Sequence, residues 1–122
     1  MDHAALARNG AMARIGVGAA FLLLPVAATR PLVGPDAERP ATKMFVRGLG
    51  IRDVLLGVGL LRAASRKESL RPWQIAGSVA DGTDALATLA TFGHLRRFGR
   101  VAAIAAAATS AVLGGYASSQ LE

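Results

Sequence analysis

Cysteine is absent from this chain, histidine occurs twice, and aromatic residues make up only 5% of it. Without cysteine there are no disulfides, thiolate metal sites or thiol nucleophiles; nothing follows about compartment. The two histidines, His3 and His94, stand far apart in the sequence, so no transition-metal set is expected. No Walker loop, dinucleotide fingerprint or Ser-His-Asp arrangement occurs. Gly16-x-Gly18 and Gly57-x-Gly59 lack the strand–turn–helix context a phosphate loop needs, and helix packing accounts for them better. No cofactor is therefore expected. Acidic side chains are also scarce, eight against fourteen Lys and Arg, which leaves a net charge of +6. A basic excess of this kind often signals nucleic acid. Here the basic residues have no groove-reading motif and no interleaved aromatics, so nucleic acid is not the expected partner.

What fills the chain instead is Ala, Leu, Val and Gly. Hydrophobic residues reach 52%, mean hydropathy is +0.40, and charged residues fall to 18%. A soluble helical bundle would carry more Glu and Lys on its outer faces. An Ala-rich soluble bundle is the rival reading, but the apolar runs are long enough to favour the membrane. We expect an all-α integral membrane four-helix bundle, one domain over residues 1–122, with membrane lipids as partners. The basic residues gather at the ends of the runs, at Arg62, Arg66, Lys67 and Arg71 and again at Arg96, Arg97 and Arg100, where they meet anionic headgroups.

Four spans are expected. The first starts at about Ala11, with Arg14 snorkelling to the interface and Pro25 kinking it. Its basic start and the Val26-Ala27-Ala28 stretch mimic a secretory signal, but we read it as a retained helix. Arg30–Lys43, with Pro31, Pro35 and Pro40, reads as an ordered loop in which Thr42 caps the next helix. The second span runs from about Lys43 to Leu61. The third runs from about Pro72 to Gly93, with Trp73 in the interfacial belt. The fourth, Val101–Leu121, carries no charge and has Ala103, Ala107, Ser110 and Gly114 at helical spacing. Lys and Arg divide equally between the two sides, so the positive-inside rule leaves orientation open. Insertion both ways, giving an antiparallel homodimer, is one outcome of that balance.

Charges inside apolar runs are costly in a bilayer and mark paired or functional sites. Four stand out: Arg52, Asp53, Asp81 and Asp84. On the third span Gln74, Gly77, Asp81, Asp84, Thr88 and Thr91 recur at three- and four-residue intervals and share one stripe about 100° wide. On the second, Phe45, Gly48, Leu56 and Gly59 lie on the face of Arg52, and Asp53 points about 100° away. A hairpin centred near Lys67 sets Arg52 opposite Gly82, between Asp81 and Asp84. Arg52 is thus expected to bridge one or both carboxylates. Asp53 is expected to pair with Arg47 or cap a hydroxyl, and Arg47 itself to snorkel. The ligand or proton site candidates are Arg52, Asp53, Asp81, Asp84, Gln74 and Thr88.

Arg14, Gly18 and Pro25, the run Arg47-Gly-Leu-Gly-Ile-Arg52-Asp53 followed by Leu-Gly, and Ala80-Asp81-Gly-Thr-Asp84-Ala85 form a moderately specific pattern covering most of the chain. In this the chain resembles an uncharacterised family of small bacterial four-helix membrane proteins, a domain of unknown function. More loosely it is similar to four-helix quinone-linked membrane subunits. The first resemblance implies a multi-pass protein of the bacterial inner (cytoplasmic) membrane and no activity.

Three roles fit these residues. The leading one is an accessory subunit, or a module binding a lipid or hydrophobic ligand, packed in a homodimer or larger membrane complex. A proton-coupled small transporter working as a dimer is the second, since two carboxylates sharing one arginine need not both stay ionised. The third is a membrane enzyme on a lipid-like substrate, with Asp81 and Asp84 as acid and base and Arg52 holding an anion or carbonyl. A purely structural Arg–Asp cluster that sets helix register is the plainer account of the same residues.

Overall fold

The computed structural model describes residues 2–90, and the expected fourth span, with His94, Thr91 and the Arg96–Arg100 cluster, lies outside them. The described residues are helical with short connections, in the order α1 (His3–Leu23), α2 (Pro25–Val33), a 3-10 turn (Gly34–Glu38), α3 (Pro40–Ser65) and α4 (Arg71–Ala90). The described residues are all-α, as their periodicities predict.

Several boundaries differ from the sequence reading. Helix α1 starts at His3, not near Ala11, because Asp2 caps it: the Asp2 Oδ1 accepts from the Ala4 N–H at 3.0 Å. Arg14 therefore stands twelfth of 21 residues, at mid-helix. At the other end Pro25 breaks the helix instead of kinking it. Leu24 leaves helical geometry (φ −129°, ψ 57°), Pro25 opens a new helix, and Pro25–Glu38 runs at 97° to α1. The expected Arg30–Lys43 loop is mostly helix: α2 continues through Pro31 to Val33, and Gly34, at φ 63°, turns the chain into the 3-10 segment. Thr42 is no cap. Arg39, in extended geometry and making no side-chain capping bond, precedes α3, and Pro40 supplies its first residue.

The α3–α4 turn is tight. Arg66 ends α3, Lys67 takes the left-handed conformation (φ 54°), and the Glu68 N–H donates to the Ala63 carbonyl at 2.9 Å. That is the six-to-one bond of a Schellman-type cap. It centres the α3–α4 hairpin on Lys67, the pivot the sequence suggests.

Helices α1 and α3 lie antiparallel with their backbones in contact. A Cβ on Gly18 would stand 2.6 Å from the Gly50 carbonyl oxygen, and one on Gly50 would stand 2.6 Å from that of Gly18. Two turns further, a Cβ on Gly57 would meet the Ala11 carbonyl at 2.8 Å. Ala7, Ala11, Ala63, Ala64 and Val46 fill the rest of the α1–α3 interior, and among the described residues no large side chain is completely buried. Small residues that admit a neighbouring backbone are the packing device of helices in lipid. Helix α4 lies along the other flank of α3, where the Trp73 ring occupies the space a Cβ on Gly59 would need.

Large apolar side chains point outward instead: Met44 is 75% exposed and Leu86 70%, with Phe45, Leu55, Val79 and Leu89 also exposed. No single described helix is long and apolar enough to cross a membrane, although α1 together with the bent Pro25–Glu38 segment passes that test as a pair.

Candidate functional site: an ion-pair chain across three helices

Helices α1, α3 and α4 each put charge at mid-length. Arg52 is thirteenth of 26 residues in α3 and Asp81 eleventh of 20 in α4, level with Arg14 in α1. The glycine contacts set this level for α1 and α3. Gly18 against Gly50 and Ala11 against Gly57 bracket Arg14 and Asp53 in the antiparallel register. On α4, the half-buried or buried positions are Gln74, Gly77, Ala80, Asp81, Asp84, Ala85 and Thr88. The polar stripe faces the other helices, and Ile75, Val79, Leu86 and Leu89 face away.

The charges form one unbranched chain. Asp81 Oδ2 accepts from Arg14 Nη2 at 2.7 Å. Arg14 Nη1 donates to Asp53 Oδ1 at 3.1 Å, and the same oxygen accepts from Arg52 Nη2 at 3.1 Å. Arg52 then grips Asp84 with both ends of its fork, Nη1 to Oδ1 at 2.9 Å and Nη2 to Oδ2 at 2.6 Å. A two-bond fork of this kind is the strongest guanidinium–carboxylate geometry. Exposure rises from the middle outward. Asp53 is 14% exposed, Arg14 21%, Arg52 29%, and Asp84 41%.

Arg52 meets Asp84, as the hairpin register implies, but not Asp81. Asp81 belongs to Arg14, so the two α4 carboxylates do not share an arginine. Arg14 does not snorkel; it is held among α1, α3 and α4, with Gly77 of α4 beside its guanidinium. Asp53 pairs neither with Arg47 nor with a hydroxyl. Being 100° around α3 from Arg52, it faces α1 and takes both arginines. Arg47 is exposed and donates from Nε to the Leu22 carbonyl at 3.4 Å.

Gln74 and Thr88 flank the chain on the α4 stripe without joining it. The Gln74 Oε1 is buried with no hydrogen-bond partner, as is Arg52 Nε. Thr88 is half-buried one turn beyond Asp84 and is itself engaged.

The residue the sequence reading missed is Arg14. Its signal was present: three carboxylates at one depth demand more than one guanidinium. Arg14 also shares a helical stripe with Ala7, Ala11 and Gly18 once Asp2 is recognised as the cap.

Among the described residues no group of His, Asp or Glu is arranged to hold a metal ion. A groove lined by described residues lies at the α1–α2 elbow, away from Asp81 and Asp84. No protein-family model matches the chain, and no curated protein or solved structure matches it either.

Proposed function

We propose that the chain is a small multi-pass membrane protein whose Arg–Asp chain locks three helices together, and that it serves as an accessory subunit or lipid-binding module. One observation carries this reading: the polarity of the bundle is inverted. Its charges meet between the helices and its Met, Phe, Leu and Val side chains stand outside. In water that arrangement exposes the costly surface and buries the cheap one. In a bilayer both choices are favourable, because charge pairs inward and hydrocarbon meets hydrocarbon. The charges near the middle of α3 and α4, Arg52, Asp53, Asp81 and Asp84, turn inward, whereas the exposed Arg47, Arg62 and Arg71 stand nearer the helix ends. The face left for lipid is thus more apolar than the helix average. The 20 residues of α4 rise about 30 Å, the thickness of the hydrocarbon layer. The resemblance to small bacterial four-helix membrane proteins agrees, and with it we propose the inner membrane as the location and a homodimer or larger complex as the assembly.

Saturation of the carboxylates favours a structural centre over a catalytic one, since each of Asp53, Asp81 and Asp84 already has a guanidinium. One feature favours the proton-coupled transporter as a second reading. Three carboxylates against two guanidiniums leave one negative charge uncompensated at mid-depth, where a proton is the smallest neutraliser.

Alkaline carbonate extraction of membranes from expressing cells tests the first reading. The protein is expected in the pellet, released only by detergent, and release by carbonate alone overturns it. In detergent, Asp84→Asn is expected to lower the melting temperature without altering ligand binding. If pH-dependent ligand binding disappears with that substitution, the transporter reading replaces the subunit reading.

A further inference from the structure

The 97° elbow between α1 and α2 creates a groove whose floor is apolar and whose rim is cationic. Leu24, Pro25 and Val26 line the floor; Arg30, Lys43 and Arg47 stand around it. Two helices place these cations together: Arg30 comes from the last turn of α2, Lys43 from the first turn of α3, and Arg47 from the turn after it. They are not equally committed. Arg30 is paired with Glu38. Lys43 and Arg47 have no carboxylate partner among the described residues, whereas the Arg–Asp chain at mid-bundle accounts for every one of its own cations. Arg47 reaches only the Leu22 carbonyl, at 3.4 Å. The elbow thus holds two positive charges, without a counter-ion among the described residues, beside an apolar surface.

We infer that this groove is a binding site for an anionic phospholipid, with the phosphate held by Lys43 and Arg47 and an acyl chain laid on Leu24, Pro25 and Val26. The inference rests on the membrane reading of the chain. If α1 crosses the bilayer, Pro25–Glu38 turns through 97° into the plane of its surface, and the elbow falls at headgroup depth. Cations at that depth attract anionic headgroups, and the apolar floor beside them suits the chain attached to one. The break at Leu24 and Pro25 has a use under this reading, because an unbroken α1 would have no such recess. Arg30 stays engaged with Glu38 and sets the edge of the groove rather than the charge within it.

The test uses the whole chain in a neutral detergent, with thermal unfolding followed as phosphatidylglycerol, phosphatidylcholine or inorganic phosphate is added. Phosphatidylglycerol is expected to raise the melting temperature well beyond phosphatidylcholine, and inorganic phosphate at the same concentration to leave it unchanged. Lys43→Gln and Arg47→Gln are each expected to weaken the phosphatidylglycerol effect by about fivefold in half-saturating concentration. Arg62→Gln, at the other end of α3, should not. Native mass spectrometry of the unsubstituted protein, expected to retain phosphatidylglycerol over phosphatidylcholine, keeps the test decisive if a variant fails to fold. Equal stabilisation by the two lipids, stabilisation by phosphate alone, or insensitivity to both substitutions overturns the site while leaving the membrane reading intact. Carbonate release of the protein sinks the membrane reading itself.

Discussion

Helix α3 makes two interfaces by opposite means. Toward α1 it presents Gly50 and Gly57, and the two backbones touch. Toward α4 it presents Arg52, a two-bond ion pair to Asp84, and a notch at Gly59 filled by the Trp73 ring. The first interface is steric, and at Gly18, Gly50 and Gly57 it leaves no space for a side chain. The second is held at separated points by groups that can move. Asp53 ties them together, because its Oδ1 accepts from an arginine of each. Tight packing between α1 and α3 fixes the height of Arg14 and Asp53. The ion pairs then fix the height of α4.

This contrast can be broken from either side. The largest effect is expected from Gly50→Leu, which drives a side chain into the α1 backbone and should cost about 3 kcal/mol, read as thermal or denaturant unfolding in detergent. Next comes Asp53→Asn. It removes the carboxylate common to both arginines and should cost about 2 kcal/mol, less than a fully buried pair because the cluster is partly exposed. Asp84→Asn, at the exposed end of the chain, is expected to cost about 1 kcal/mol in the same assay. Gly59→Ala should displace the Trp73 ring and change tryptophan emission while leaving α1–α3 packing intact. A drop in stability as large as that of Gly50→Leu would erase the distinction between the interfaces. The smallest change is a gain. Lys67→Gly relieves a left-handed residue in the α3–α4 turn and should add about 1 kcal/mol.

The part of this arrangement legible in the sequence is the part carried by periodicity and charge. Polar residues at three- and four-residue spacing on α4 define its inward face. The hairpin register about Lys67 brings Arg52 to Asp84, since an ion in an apolar run must find its partner at equal depth. Arg14 was not legible because its meaning depends on where α1 begins. Started at Ala11 it is an interfacial residue, and started at the Asp2 cap it is central. The elbow was hidden for a similar reason. A proline in an apolar run kinks or ends a helix, and which occurs depends on the backbone angles of Leu24. The Arg30–Lys43 stretch reads as a loop because of its three prolines, yet Pro35 and Pro40 sit in the first turns of helical segments, where proline is compatible with helix, and only Pro31 lies inside one.

Absence of cysteine makes the central claim directly measurable, since spin labels can be introduced one at a time. Single cysteines at Leu55, Val79 and Leu86, labelled and reconstituted in bilayers, report collision rates with oxygen and with a water-soluble nickel chelate. The account predicts oxygen dominance at all three sites, strongest at Val79 beside the level of Asp81 and Arg14. Dominance of the nickel chelate at those sites would mean that the apolar faces meet water, and the inverted bundle would then not be a membrane one.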